Sequence, residues 1–526
     1  MYIQKVLCLG ILILFLVLAG CTSDSNQKDP QESGDFLDLS HIRDKLLQDK
    51  HRPTYHFVMP EGIAEPFDPN GAIYWNGRYH LFYIFQPKSA SIWDSYWGHV
   101  SSTDLLHWRY HPTALAPNPG DPDKGIFSGN AFVNKEGEAT ILYHGVKAGN
   151  CIATSSDPDL NYWQKLPSNP IVKSPEKGDP DYGKYQSWDP HGWLDGDTYY
   201  AIFGGRPATL FTSTNLKDWN YLGNFLAHDM PNVEPFEDLS CPDFFKLGDK
   251  YMLLGISHSI GCRYYLGEYK DNKFYPEVHE RMNWGGGACF APESMVDPQG
   301  RRIMWAWAID SRFKWDNHKE IIETVGWSGT MTLPRVLSLG EDGTLRIEPI
   351  EELKTLRSNH RGLKNINVAA NSESKLQDIK GDCFEIEMTV VPGKASEYGI
   401  KIRCSPNGEE ETIISYDTIK KSVIIDVAKS TLDTSITYEN FIFREEDRKT
   451  ITQQVAPFEM NPGEKVNFHI FADRSIVEVF VNDRICLTQR IYPTRDDSQG
   501  IVLFAKGGDV NIPELNVWKM QPANPW

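Results

Sequence analysis

Apolar residues come in paired short runs through much of the chain, each pair joined by a tight polar turn. The unit is an apolar strand, a turn, and a second strand rich in Tyr, Leu, Ile and Phe. It recurs at 71–83, 131–143, 191–203, 243–255 and 294–306. Asn76-Gly77 and Asp195-Gly196 are strong two-residue hairpin signals, because these residues accept the positive φ that such turns require. The turn glycines 77, 137, 196, 248 and 300 are separated by 60, 59, 52 and 52 residues. Three units carry a second signature, Ser102–Trp108, Ser155–Trp163 and Ser213–Trp219. In each, a turn-forming Asp or Asn precedes a Leu and a Trp that can close over a sheet. Strand-rich repeats of this period predict a propeller of four-stranded blades, and five copies predict five blades.

The pattern changes from about residue 361. Cys383-Phe-Glu-Ile-Glu-Met-Thr-Val, Gly399-Ile-Lys-Ile-Arg-Cys, Ser422-Val-Ile-Ile-Asp-Val and Ile476-Val-Glu-Val-Phe-Val alternate with period two. Such strands are half-buried, and short ones between polar turns predict a β-sandwich. The expected class is all-β: a five-bladed propeller over 51–340, a linker over 341–360 and a sandwich over 361–526. The one helical pattern is a short stretch around 36–50.

The N-terminus reads as targeting. Lys5 precedes an apolar run, Val6 to Ala19, too short to span a bilayer comfortably and shaped like a secretory core. It ends in Leu18-Ala-Gly-Cys21, which resembles the bacterial lipobox, so residues 1–20 are expected to be a signal peptide and Cys21 the lipidated residue. Residues 22–34 are polar and the stretch 21–50 reads as a tether. The expected location is the cell envelope, with the chain exported and anchored to a membrane by lipid.

Composition narrows the chemistry. A hydrophobic fraction of 40% and a charged fraction of 24% describe a globular chain with full cores. The formal charge of −18 argues against nucleic acid, whose phosphates would repel it. Aromatic residues make up 12%, which suits both a sugar-binding groove and ordinary β packing. The seven cysteines after Cys21 are scattered, without metal-ligand spacing, and no disulfide is expected. No metal or organic cofactor is implied.

In a propeller, matching positions on successive blades face the same end of the channel. The residues just before each first strand include Asp68, Asp189, then Glu237, Asp238 and Asp243, and finally Glu293. Blade two offers only Phe127-Ser128-Gly129-Asn130, without charge. Carboxylates gathered in one funnel raise one another's pKa, and two of them flanking a glycosidic bond are the minimal machinery for its hydrolysis. Asp297 and Asp218 read as turn formers.

These residues resemble glycoside hydrolase family 32, the invertases and fructan hydrolases, from about Tyr55 to Pro522. The resemblance lies in Asp68-Pro-Asn-Gly71, Trp97-Gly-His99 with Ser102–Trp108, Phe127-Ser-Gly129, Gly326-Trp-Ser-Gly-Thr-Met-Thr-Leu-Pro-Arg335 and Asp473-Arg-Ser-Ile-Val-Glu-Val-Phe-Val-Asn482. It implies retaining cleavage of β-fructofuranosidic bonds in sucrose, levan or inulin. Asp68 would be the nucleophile, and Asp189 would hold sugar hydroxyls and stabilise the transition state. Asn70, Gln86, Trp97, Phe127, Ser128 and Trp188 would line the sugar site. The sequence departs from the family at three points. Ser240, not Glu, precedes Cys241; Trp188, not Arg, precedes Asp189; and Glu65-Pro66-Phe67 replaces the usual Trp-x-Asn. Glu237 and Asp238 are the nearest substitutes for the acid, and Glu237 is favoured because its longer side chain reaches further. The alternatives are a hydrolase of another furanoside, such as an arabinofuranoside, and a glycan-binding lipoprotein that has lost catalysis.

Overall fold

The computed structural model describes residues 48–59, 67–87, 93–312, 325–327, 329–439 and 450–524. Cys21, the expected signal and nearly all of the expected tether lie outside these residues, as does most of the helical pattern at 36–50. Among the described residues no helix is long and apolar enough to cross a membrane.

Five four-stranded antiparallel sheets follow one another along the chain. Their first strands are Pro69–Trp75, Ile126–Val133, Pro190–Asp195, Ser240–Leu247 and Cys289–Val296. Each first strand lies beside those of its neighbours, and the fifth meets the first, so the sheets close into a ring. All five repeat glycines occupy the hairpin turns at positive φ, from 55° at Gly196 to 83° at Gly77. The second signature is a turn as well. Leu105, Leu160 and Leu216 adopt φ of 66°, 54° and 62°, and the indoles of Trp163 and Trp219 donate to the carbonyls of Leu160 and Leu216 at 2.9 and 3.1 Å.

The expected linker over 341–360 is corrected by the structure. Leu345–Pro349 is the fourth strand of blade five, paired with Arg335–Leu339, and its alternating Leu345-Arg-Ile-Glu pattern is that of a strand with one buried face. A single 3-10 turn, Glu351–Leu356, separates it from the first sandwich strand, Arg357–Val368. The sandwich is two six-stranded sheets over a core that includes Ile386, Ile400, Ile414, Ile470 and Leu503.

Two sequence motifs meet where propeller and sandwich join. Arg335 and Glu478 form a fully buried ion pair at 3.2 Å, and Glu478 also accepts the Leu333 amide at 3.1 Å. Asp473 accepts the backbone amides of Thr54, Tyr55 and His56 at 2.7, 2.8 and 2.9 Å and the His56 ring at 3.0 Å. The conspicuous Asp473–Asn482 segment is thus a joint that holds the start of the globular body and the end of the propeller.

Candidate active site

First strands in four of the five blades open with a β-bulge, at Asn70/Ile73, Ile126/Gly129, Ser240/Asp243 and Phe290/Glu293. A bulge bends the strand and re-aims its side chains. Here it turns the opening residues across the end of the ring. In blades one, four and five the bulge contains a residue at positive φ: Gly71 at 57°, Cys241 at 46° and Ala291 at 45°. For a side chain as large as Cys, that conformation is strained and is kept only where surrounding contacts enforce it.

The Cys241 backbone amide donates to Asp189 Oδ2 at 3.1 Å. Its thiol lies 3.7 Å from the same oxygen, 3.8 Å from Asp68 Oδ2 and 3.5 Å from Ser128 Oγ. Ser128 Oγ donates to Asp68 Oδ2 at 3.1 Å. Residues from blades one, two, three and four therefore share one buried point. Asn70 fixes the loop that carries Asp68: its Nδ2 donates to the Asp68 carbonyl at 2.8 Å, and its Oδ1 accepts the Gly129 amide of blade two at 2.9 Å. Asp68 Oδ1, by contrast, is buried without a hydrogen bond.

This environment sets the charges. Burial, followed by the charge of Asp189, pushes Asp68 up to about 7, against the pull of Ser128 and His258. Burial also raises Asp189, opposed by His144, His258 and the Cys241 amide. The Cys241 thiol is pushed far up by burial and by both carboxylates, so it stays protonated.

Trp188 forms part of the wall. Its indole donates to Ser240 Oγ at 2.8 Å and packs against His144 with ring centroids 4.8 Å apart. Phe127 meets Trp188 edge-on at 6.1 Å and stacks on Trp93 at 5.7 Å. Trp93 is half exposed, so an aromatic face runs from the buried carboxylates outward, as suits the apolar faces of a sugar ring.

Several expectations need correction. Trp97 and Gln86 present no surface to a ligand. Trp97 is fully buried, packed against Phe82 at 5.9 Å, and its indole donates to the Phe127 carbonyl at 3.1 Å. Gln86 is fully buried with its Nε2 donating to Ser95 at 3.1 Å. Both support the wall from behind. Glu237 does not join the Asp68–Asp189 pair. It is buried against Arg263, with His279 at 3.6 Å and the Glu234 amide at 3.0 Å. The guanidinium, from the third strand of blade four, holds the carboxylate; side-chain length did not decide its placement. Asp238 is the residue that faces the site: it shares Ser240 Oγ at 3.0 Å and His258 Nδ1 at 2.5 Å. Asp243 and Glu293 form a separate cluster around Arg302. Asp243 accepts the Ser294 hydroxyl, and Glu293 accepts the Ala72 amide at 3.0 Å.

The groups missed by sequence reading are Cys241, His144 and His258. The last two have a common address. Gln86, His144 and His258 lie at the ends of the second strands Arg78–Phe85, Ala139–Gly145 and Lys250–Ser257. In an antiparallel hairpin that end lies beside the start of the first strand, so a scan of second-strand ends finds them.

The chain is similar to known proteins along most of its length. The family model for the glycosyl hydrolases family 32 N-terminal domain matches residues 56–349, and that for the family's C-terminal domain matches 352–519. A sucrose-6-phosphate hydrolase of Zymomonas mobilis is 29% identical over 91% of this chain and 94% of its own. A levanase of Bacillus subtilis is 29% identical over 92% of this chain and 72% of its own. The crystal structure of fructan 1-exohydrolase IIa from Cichorium intybus has the same fold, with a TM-score of 0.77 and 23% identity over 90% of this chain and 98% of that one.

Proposed function

This chain belongs to glycosyl hydrolase family 32, and on that premise we propose that it cleaves β-fructofuranosidic bonds of sucrose or fructans by double displacement, with Asp68 as nucleophile. The observation that carries this reading is the meeting of Asp68, Ser128, Asp189 and Cys241 at one end of the ring. Ser128 and the Cys241 thiol hold Asp68 Oδ2 and leave Oδ1, which accepts no hydrogen bond, as the attacking atom. Attack forms a bond from Oδ1 to the anomeric carbon and breaks the bond to the leaving oxygen, which departs as a protonated hydroxyl. Water then displaces Asp68 from the same carbon. Asp189 lies beside the reacting carbon, where its negative charge stabilises the oxocarbenium-like transition state. A sugar arriving in the pocket brings developing positive charge between two carboxylates, and this favours ionisation of both at the moment of reaction. Phe127, Trp188 and Trp93 offer the sugar its apolar contact surface.

The lipid anchor belongs to the same reading. An apolar run followed by Leu18-Ala-Gly-Cys21 and a polar stretch supports lipidation at Cys21 and a place in the cell envelope, where long polysaccharides are met. Membrane fractionation of the wild type and of Cys21→Ser tests this: release of the variant into the soluble fraction is expected.

The direct test is release of sugar from sucrose, inulin and levan. Wild type is expected to release fructose, and Asp68→Asn to lose about 10⁴-fold in kcat while keeping its fold. Wild-type rate in that variant would remove Asp68 as nucleophile. Release of a pentose from an arabinofuranoside, without fructose release, would move the activity to another furanoside.

A further inference from the structure

A retaining site needs a group that gives a proton to the leaving oxygen and later takes one from water. Asp68 and Asp189 are committed to the anomeric carbon. Glu237 is held by Arg263, away from the pair. Asp238 faces the site, but the hydrogen bond and charge of His258 outweigh its burial and keep it ionised, so it has no proton to give. The Cys241 thiol keeps its proton too tightly. His144 is held neutral by burial, with Nδ1 against Asn150 at 3.2 Å.

Among the described residues, one group answers the requirement. His258 follows the second strand of blade four, directly beside Ser240 at the start of the first strand, and its Nδ1 is 2.5 Å from Asp238 Oδ2 and 3.4 Å from Ser240 Oγ. Its amide also donates to Asp238 Oδ1 at 2.9 Å, so the carboxylate grips both backbone and ring. The ring centroid lies 6.4 Å from that of Trp188 in the aromatic wall. The side chain is about one-third exposed, where Asp68 and Asp189 are buried. It thus stands on the solvent side of the pair, where a leaving group departs.

We propose that His258, oriented by Asp238, is the acid/base of this site, resting on the retaining reading above. The imidazolium gives its Nε2 proton to the glycosidic oxygen as the bond to the anomeric carbon breaks and Asp68 takes that carbon. The neutral imidazole then accepts a proton from the water that displaces Asp68, which restores the starting state. Asp238 is a positioning residue: bound to Nδ1, it assigns proton transfer to Nε2. Among the described residues, the charged groups that act on the ring are Asp238 from its own blade, Asp189 from blade three and Asp68 from blade one. All three favour the imidazolium, and together they outweigh burial, which disfavours it. The Asp–His pair therefore does the work that a raised-pKa carboxylic acid does at other retaining sites, with the sign of the charge reversed.

The experiment compares two fructofuranosides, one with a sugar leaving group and one with a nitrophenol. His258→Gln is expected to lose about 10³-fold on the first and less than about tenfold on the second, because an activated leaving group needs no proton. The alkaline limb of kcat/KM should vanish with it, and imidazole added to His258→Gly should restore part of the rate. Asp238→Asn should lose part of the rate on the sugar leaving group, less than His258→Gln does, and move the alkaline limb to lower pH, and Glu237→Gln should leave the ratio between the two substrates as in wild type. Equal loss on both substrates, or an alkaline limb retained in His258→Gln, overturns the proposal. If His258→Gln does not fold, Asp238→Asn decides, since an unmoved alkaline limb is incompatible with His258 as the acid. Failure of the underlying reading looks different: wild type itself would turn over neither fructoside, or Asp68→Asn would be as fast as wild type.

Discussion

Two groups of buried carboxylates in this molecule differ in how their environment charges them. Asp473 and Asp310, at the joint between propeller and sandwich, are saturated with donors. Asp473 takes three backbone amides and His56, which outweigh its burial and hold it down at about 2. Asp310 takes Arg312 at 2.9 Å, Arg490 at 3.0 Å and the Tyr492 hydroxyl at 2.5 Å, and is likewise depressed despite burial. Asp68 and Asp189 are as deeply buried but are given one another, a hydroxyl, a thiol and one amide, and both are pushed up. Burial is the same in both places; the number of donors differs. At the joint the carboxylates are satisfied, and at the candidate site they are left short.

The largest break in that contrast comes from removing donor satisfaction at the joint. Asp473→Asn should cost about 3–5 kcal/mol, the usual penalty for breaking a buried, fully bonded charge, while kcat of the folded fraction stays as in wild type. The folded pKa of about 2 lies below the ordinary 3.8, so this contribution is full above pH 4 and is lost as pH falls toward 2. Urea midpoints at pH 7 and pH 3 check it: the gap between variant and wild type should narrow at the lower pH.

Asp68→Asn should have the opposite sign. A carboxyl raised to about 7 binds its proton in the native state over pH 4–7 while the unfolded chain has already released it. Native stability therefore falls as pH rises through that window, and stays lower above it. Removing the charge should stabilise the protein by roughly 1–3 kcal/mol at pH 8 and by little at pH 4, measured by the same midpoints. A variant less stable than wild type at pH 8 would erase the distinction between the two groups of acids.

The smallest effect sharpens the comparison within the site. Ser128→Ala takes one donor from Asp68 Oδ2 and should move the acid limb of kcat/KM upward by about half a pH unit. An unmoved acid limb would mean that Asp68 does not control it.

The fold was legible because its signal is local and repeated. Period-two strands, a glycine at each hairpin turn and the Leu–Trp turns all recur, and repetition averages out accident. Asp68, Ser128 and Asp189 could be read for the same reason, since they hold the same phase in different blades. Their neighbours could not. Side-chain length favours Glu237, and Arg263, twenty-six residues on in a strand, decides the outcome. Trp97 and Gln86 have the residue types of a sugar site, but packing against Phe82 and bonding to Ser95 turn them inward. His258 stands in no motif; its role depends on a hairpin bringing the end of one strand to the start of another. The replacement of Glu by Ser240 is visible in the sequence, and its compensation only in three dimensions.

Among the described residues no blade borrows a strand from the far end of the chain: each is drawn from its own stretch of sequence, in order, and the early Val58–Met59 strand pairs with Gly329–Thr330 outside the five sheets. Every group named in the chemistry has been added to the chain by residue 258, yet blade one meets its last neighbour only after blade five exists. A nascent polypeptide stopped at residue 288 would thus carry the full set of reactive groups and no pocket to hold them. Catalysis here reports on completed synthesis, because the circle that brings Asp68 within reach of Cys241 is drawn shut by residues that take no part in the reaction.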